Sequence, residues 1–219
     1  MRLVLSALAV CAFGMSANAA VLWDQSNVDA AVNAIVNQEF VNYPDYSSYM
    51  ANDFEADAPW NITKVTIYLT NNNGTWGGIP DPQARFNLWN AFPDTDPGAG
   101  DMVPATYTQT ANGLAMSVDV DVDVAAGTHW LGLTPYVDFT IYGQEFCQAA
   151  PIWGENTAWR NPGGAFGYGT DWTNAYILDT TGMWQDNYDM AMLIEGTVIP
   201  APGALALLGL AGLARRRRR

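Results

Sequence analysis

The chain has 219 residues, with 22 acidic against 9 basic side chains and one histidine, for a net charge of −13 at neutral pH. The basic residues gather at the ends, so residues 20–199 hold all 22 carboxylates and only Lys64, Arg85 and Arg160, a net of −19. Such a body repels nucleic acid and anionic lipid and attracts cations; the simplest meaning of the charge is solubility in a salty medium.

The N-terminus reads MRLVLSALAVCAFGMSANAA. Arg2 supplies a positive start, Leu3 to Met15 an apolar run, and Ala17-Asn18-Ala19 a small-x-small cleavage site, the three parts of a secretory signal peptide over residues 1–19. Cys11 is a poor lipoprotein cysteine, because Val10 before it is bulky and the apolar run ahead of it is short. Once Cys11 leaves with the signal, Cys147 has no intramolecular partner and is expected to be buried and inert. An intermolecular bridge is its alternative.

The body, residues 20–198, reads as one β domain with no internal repeat and no linker. "VDAAVNAIV" (28–36) is a candidate short helix. "NITKVTIYLT" (61–70) places Val65, Ile67 and Leu69 on one face, with Lys64, Thr66, Tyr68 and Thr70 on the other. "ARFNLWNAF" (84–92) is a further candidate strand. "LAMSVDVDVDV" (114–124) alternates strictly, from Leu114, Met116 and Val118 through Val120, Val122 and Val124 inward, with Ser117, Asp119, Asp121 and Asp123 toward water. "THWLGLTPYV" (128–137) and "YDMAMLIEGTV" (188–198) complete the set. Asn72-Asn73-Gly74, Pro97-Gly98, Ala126-Gly127 and Pro162-Gly163-Gly164 mark turns between them. Many short strands with such turns predict an all-β fold, an antiparallel β-sandwich of jelly-roll type, followed by a short C-terminal hydrophobic helix.

After the body come Pro200-Ala201-Pro202, an unbroken apolar stretch of 12 residues from Gly203 to Ala214, and Arg215, Arg216, Arg217, Arg218 and Arg219. As a helix the stretch reaches about 18 Å, against a bilayer core of roughly 30 Å. Its five leucines make insertion marginal. The arginines would stay on the cytoplasmic side as a stop. A transient membrane hold fits these parts better than a permanent span. A GPI signal does not end in arginines, and an exported acidic protein has little use for a nucleic-acid arm.

These parts, in this order at the C-terminus, resemble a PEP-CTERM sorting signal over residues 199–219, with Ala201 where the motif has its central glutamate. The resemblance implies recognition by an exosortase, a membrane enzyme thought to process such tails. It also implies a Gram-negative-type bacterium that makes exopolysaccharide. In layout more than motif, the body is similar to exported bacterial β-sandwiches found ahead of such tails. The cues are "ANDFEADAPWNITKVTIYLT", "AAGTHWLGL" and a Trp/Gly-rich segment before the last strand.

Chemistry-bearing residues are few. His129 stands alone in a strand-like run, with no nucleophile elbow, zinc-protease helix motif or phosphate loop anywhere in the chain, so it is expected to be structural. A glycosidase needs only two carboxylates, and sequence cannot choose a pair among 22. Asp94, Asp96 and Asp101 in "PDTDPGAGD" are candidate Ca²⁺ ligands in a Gly/Pro loop, with an ordinary solvated turn as the alternative. Asp119, Asp121 and Asp123 repeat at about 6.8 Å along one strand face, too wide for one ion. In "PIWGENTAWRNPGGAFGYGTDW" the rings of Trp153, Trp159 and Trp172, with Phe166 and Tyr168, crowd around Arg160 and Asn161, a candidate glycan-binding group with core packing as its alternative. Asn61-Ile62-Thr63 and Asn73-Gly74-Thr75 match glycosylation acceptor sites in a host with that machinery.

The leading expectation is a non-enzymatic protein exported to the cell surface or exopolysaccharide matrix by an exosortase-type system, without nucleic-acid partners or a required cofactor. A carbohydrate-binding module and a glycosidase-like enzyme are the alternatives.

Overall fold

A computed structural model describes residues 19–32, 34–72, 78–167, 169–175 and 188–200. Most of the signal peptide, including Ala17, lies outside these residues, as do Asn73-Gly74-Thr75, Tyr168, and the tail from Ala201 through Arg219 with its expected hydrophobic helix. The fold is all-β, a large antiparallel sheet curled over itself in a jelly-roll-like sandwich.

In chain order the strands are β1 (Ala20–Gln25), β2 (Ile35–Val36), β3 (Glu39–Phe40), β4 (Tyr49–Ala56), β5 (Trp60–Asn71), β6 (Gln83–Trp89), β7 (Asp101–Thr110), β8 (Gly113–Val124), β9 (Gly127–Val137), β10 (Glu145–Cys147), β11 (Ala149–Pro151), β12 (Ala158–Arg160), β13 (Thr173–Asn174), β14 (Tyr188–Met190) and β15 (Met192–Val198). One α-helical turn, α1 (Phe139–Tyr142), follows β9, and 3₁₀ turns occupy Pro44–Tyr46 and Pro97–Ala99.

The main sheet runs β1-β15-β5-β8-β7-β6-β9-β4-β12-β13. It folds over at β7, whose residues 101–104 pair with β6 while residues 105–110 pair with β8. Pro104 sits at this corner, where the missing N–H of a proline costs least. β3 beside β9 is a parallel pair within the otherwise antiparallel arrangement.

Alternation on β5 and β8 builds half of the core. Val65 faces Val118, Ile67 faces Met116 and Leu69 faces Leu114, all buried. Met50 and Phe54 of β4, Leu131 and Leu133 of β9, and Ala84 and Phe86 of β6 close it from the other layer. Val120 and Val122 are half-buried against this core and Val124 is buried, while Asp119, Asp121 and Asp123 are exposed. β9 does not alternate, because Trp130 is covered on the opposite face by Ala51, Ala158, Trp89 and Trp172.

Three local expectations change. The described residues of 28–36 form no helix: Asp29 caps a turn, its Oδ1 accepting from Ala31 N at 3.0 Å and its carbonyl from Val32 N at 3.2 Å. The β-branched Ile35 and Val36 then pair with Cys147 and Phe146. The strand expected over 84–92 ends at Trp89, as the chain bends at Asn90, whose Oδ1 meets His129 Nδ1 at 3.0 Å. The segment 188–198 is split at Ala191, whose N–H bonds the Gln148 carbonyl, so β14 joins β11 in a separate ribbon while β15 enters the main sheet.

Candidate functional site: an aromatic cleft at one pole

The two ends of the sandwich are unlike. One carries the β4–β5 and β8–β9 turns, with Ala56 opposite Gly127 and Trp60 opposite both Val124 and Val198. The other carries β3, the segment 41–47, α1 and the ends of β5 and β9; there Phe40 pairs with Val137, and Asn71 Nδ2 donates to the Tyr142 carbonyl at 2.8 Å.

At this second pole Phe40, Tyr43, Tyr46, Phe139, Gln144 and Phe166 line a cleft of about 320 Å³. That volume is at the lower end of small-ligand sites. Its shape follows from local chain geometry. The 3₁₀ turn has about three residues per turn, so Tyr43 and Tyr46 project to the same side. Pro44 sets the φ of the turn, and Ser47 N–H closes it on the Pro44 carbonyl at 3.0 Å. Opposite, Asp138 caps α1 by accepting from Thr140 N at 2.8 Å and holds Asn42 Nδ2 at 2.7 Å, tying the two walls together. The Thr140 hydroxyl, donating to Asp138 Oδ1 at 2.6 Å, keeps the Asp138 carboxyl below its usual range together with these bonds.

The rings meet edge to face. Tyr43 and Phe139 stand at 84° with centroids 6.0 Å apart, and Tyr46 and Phe166 at 86° and 5.5 Å. Tyr43 and Tyr46 remain 44% and 46% exposed, unusually open for rings beside a core. On the other side of segment 41–47 lies a polar recess of about 300 Å³ that shares Phe40 and adds Glu39, Ser47, Tyr49, Asp96 and Tyr136. Arg85 grips Glu39 there with two bonds, Nε to Oε2 at 2.9 Å and Nη2 to Oε1 at 2.8 Å, and gives Nη1 to the Gly100 carbonyl. Burial and the nearby Glu39 carboxylate push the Tyr49 hydroxyl far above its usual range, so it stays a neutral donor.

The residues expected to contact glycan are dispersed. Trp159 belongs to the core: it is 1% exposed and its Nε1 donates to the Val36 carbonyl at 2.9 Å, so its faces are not offered to a ligand. Asn161 is fully buried, and Phe166 N donates to its Oδ1 at 3.1 Å. Arg160 and Trp172 both donate to the Thr95 carbonyl, at 3.0 and 2.9 Å, and Trp172 packs edge-on against Trp89. Trp153 is 38% exposed, edge-on to Trp23 with centroids 4.3 Å apart. Trp159 and Asn161 therefore belong to the interior, while Trp153 is exposed and Arg160 and Trp172 are half-buried.

Asp94, Asp96 and Asp101 are exposed. Asp96 caps the 3₁₀ turn by accepting from Gly98 N at 3.0 Å, and Asp101 opens β7. Among the described residues no three His, Cys, Asp or Glu side chains gather around a common point that would suit a metal. Asp121 and Asp123 share Asn61, whose Nδ2 donates to both at 2.8 and 2.9 Å, which eases their repulsion. Both ring nitrogens of His129 are engaged, with Asn90 Oδ1 and the Ala125 carbonyl. Cys147 is buried, and burial pushes its thiol far above its usual range.

Three interior carboxyls carry no signal in the sequence pattern. Asp189 accepts from Gln25 Nε2, Trp153 N and Thr157 N, and Asp53 accepts from Glu155 N, so the pair holds loop 152–157 from below. Burial raises Asp53 to about 6 and Asp189 to about 7, with Asp53 adding to the effect on Asp189. Burial raises Glu145 to about 8, although Tyr107 Oη donates to it at 3.3 Å. All three are 0–1% exposed, so their place is inside the fold, away from the clefts. Their burial depends on partners distant along the chain, as with Gln25 and Asp189, 164 residues apart.

Among the described residues no helix is long and apolar enough to cross a membrane. No protein-family model matches the chain, and no curated protein matches it.

Proposed function

We propose that this chain is a non-enzymatic β-sandwich exported to the cell surface or exopolysaccharide matrix, handed by its C-terminal tail to an exosortase-type membrane enzyme. The observation that carries the reading is where the described strands start and stop. β1 begins at Ala20, directly after the expected signal cleavage at Ala19, and β15 ends at Val198, just before Pro200. Ala20 lies opposite Gly196 in the β1–β15 pair, so the first and last described strands meet at one pole. Among the described residues the last anchoring bond runs from Ile199 N to the Pro59 carbonyl at 2.7 Å, and Pro200 is exposed. Cutting after Ala19, or anywhere from Ala201 onward, takes none of the described strands out of the sheet.

Mass spectrometry of the protein recovered from the producing cell's surface tests this. The expected species starts at Ala20 and lacks Arg215 to Arg219. An intact C-terminus bearing the five arginines overturns the processing step.

A further inference from the structure

We propose that the cleft of Phe40, Tyr43, Tyr46, Phe139 and Phe166 binds an uncharged polysaccharide chain. Among the described residues, half of the exposed large apolar side chains sit on two short segments at this pole: Val41, Tyr43 and Tyr46 on one, Phe139 and Ile141 on the other. A concentrated apolar surface of this kind marks a binding site more often than chance exposure does. The steep ring angles in the Tyr43–Phe139 and Tyr46–Phe166 pairs mean that neither pair stacks face to face. With Tyr43 and Tyr46 still 44% and 46% exposed, their rings offer open surface that suits the C–H-rich face of a pyranose, which carries its hydroxyls at the edge.

The polar groups answer those hydroxyls. Gln144 lies in the cleft itself, and the adjoining recess offers Ser47, Tyr49, Tyr136 and the carboxylates of Glu39 and Asp96. This mix of donors and acceptors matches a polyol better than an all-hydrocarbon chain.

Charge narrows the class. Among the described residues no basic side chain lines either recess, and the nearby guanidinium of Arg85 is already held by Glu39. With 22 carboxylates on the body, a uronate, sulfate or phosphate polymer would meet repulsion with no counter-charge at the contact. The ligand is therefore a glycan without acidic groups.

Position completes the case, and this part rests on the surface-protein reading above. The last described residues, Ile199 and Pro200, lie beside Pro59 at the pole where β9 begins, and the cleft lies where β9 ends. Ten steps along β9 at ~3.4 Å separate the poles by about 34 Å. A protein held through its tail presents the cleft outward, toward extracellular polymer.

Affinity electrophoresis of the purified full chain through gels containing a neutral β-glucan, a galactomannan or a xylan tests the proposal. At least one polymer is expected to retard the protein. The double variant Tyr43→Ala/Tyr46→Ala should bind about tenfold more weakly, while Tyr43→Phe/Tyr46→Phe keeps most of the affinity because the rings remain. Trp153→Ala should bind like the parent. Each tyrosine gives up one edge contact, so a melting temperature lowered by a few degrees with a single cooperative transition is expected and establishes that the alanine variant is folded.

Absence of retardation by all three polymers overturns the proposal, as does undiminished binding by the alanine variant. Tyrosine NMR shifts caused by tetramethylammonium but by no saccharide would assign the rings to an organic cation instead. The assay needs no processing step. A chain that binds glycan yet keeps its arginines in the cell therefore preserves this inference while overturning the sorting reading.

Discussion

Asn161 fastens the wall of the aromatic cleft, giving both amide hydrogens to the backbone of the tyrosine segment, at 2.8 Å to the Asp45 carbonyl and 2.8 Å to the Ser47 carbonyl. The two ends of these bonds are 116 and 114 residues apart. Asn161→Ala leaves the buried Ser47 carbonyl without this donor, leaves the Asp45 carbonyl only Ala165 N–H among the described residues, and frees Phe166 N–H. The expected cost is about 2–4 kcal/mol, read as a lower midpoint in denaturant unfolding, with loss of the Tyr46–Phe166 contact. Parental stability in this variant would refute the fastening role.

Trp159 and Trp153 look alike in sequence but should respond differently. Trp159→Ala empties a core site and frees the Val36 carbonyl, at a cost of about 3–5 kcal/mol. Trp153→Ala loses mainly its edge contact with Trp23, worth about 0.5–1.5 kcal/mol. Thermal unfolding of the two variants side by side distinguishes the roles; similar losses would contradict the burial pattern.

Stability should fall as pH rises from weakly acidic to alkaline. Asp53, Asp189 and Glu145 have folded pKa values of about 6, 7 and 8, above unfolded values of about 3.9–4.3. The native state thus binds more protons between those limits. The stability these groups contribute is fully present below about pH 4 and is lost as pH climbs through 6 to 8. Melting temperatures measured from pH 5 to 9 should decline, and a flat or rising profile would count against the buried carboxyls.

Glu145→Gln isolates one of them. Glu145 is held neutral at pH 7 by burial, and its Oε1 has no hydrogen-bond partner among the described residues. A neutral amide of nearly the same shape should therefore change stability little at pH 6. It should make the protein more stable than the parent at pH 9, where the parent must ionise a buried acid. An equal offset at both pH values would place the effect in packing.

Gly113 closes the β7–β8 hairpin at φ +144°, and a Cβ there would run into the Leu69 carbonyl of the neighbouring strand. Gly113→Ala combines backbone strain with displacement of the β5 backbone and should cost about 1–3 kcal/mol or more. Slower exchange-out of β8 amides in the variant than in the parent is the outcome this excludes.

Periodicity alone determined the strands that bear the core. On β5 and β8, apolar residues at every second position must share a face. That rule by itself places Val65, Ile67, Leu69, Leu114, Met116 and Val118 inside and the row Asp119, Asp121 and Asp123 in water. A single body cysteine with no partner is equally legible in the sequence. Tertiary structure decided which aromatic rings face water, which carboxyls are buried and where a cleft opens. Trp159 and Trp153 sit in the same Gly-rich segment, yet only one falls beneath Phe166 and β2. The cleft joins residues 40–46, 139–144 and 166. Their meeting depends on the curl of the sheet and on buried bonds such as those of Asn161, and a local sequence pattern records neither.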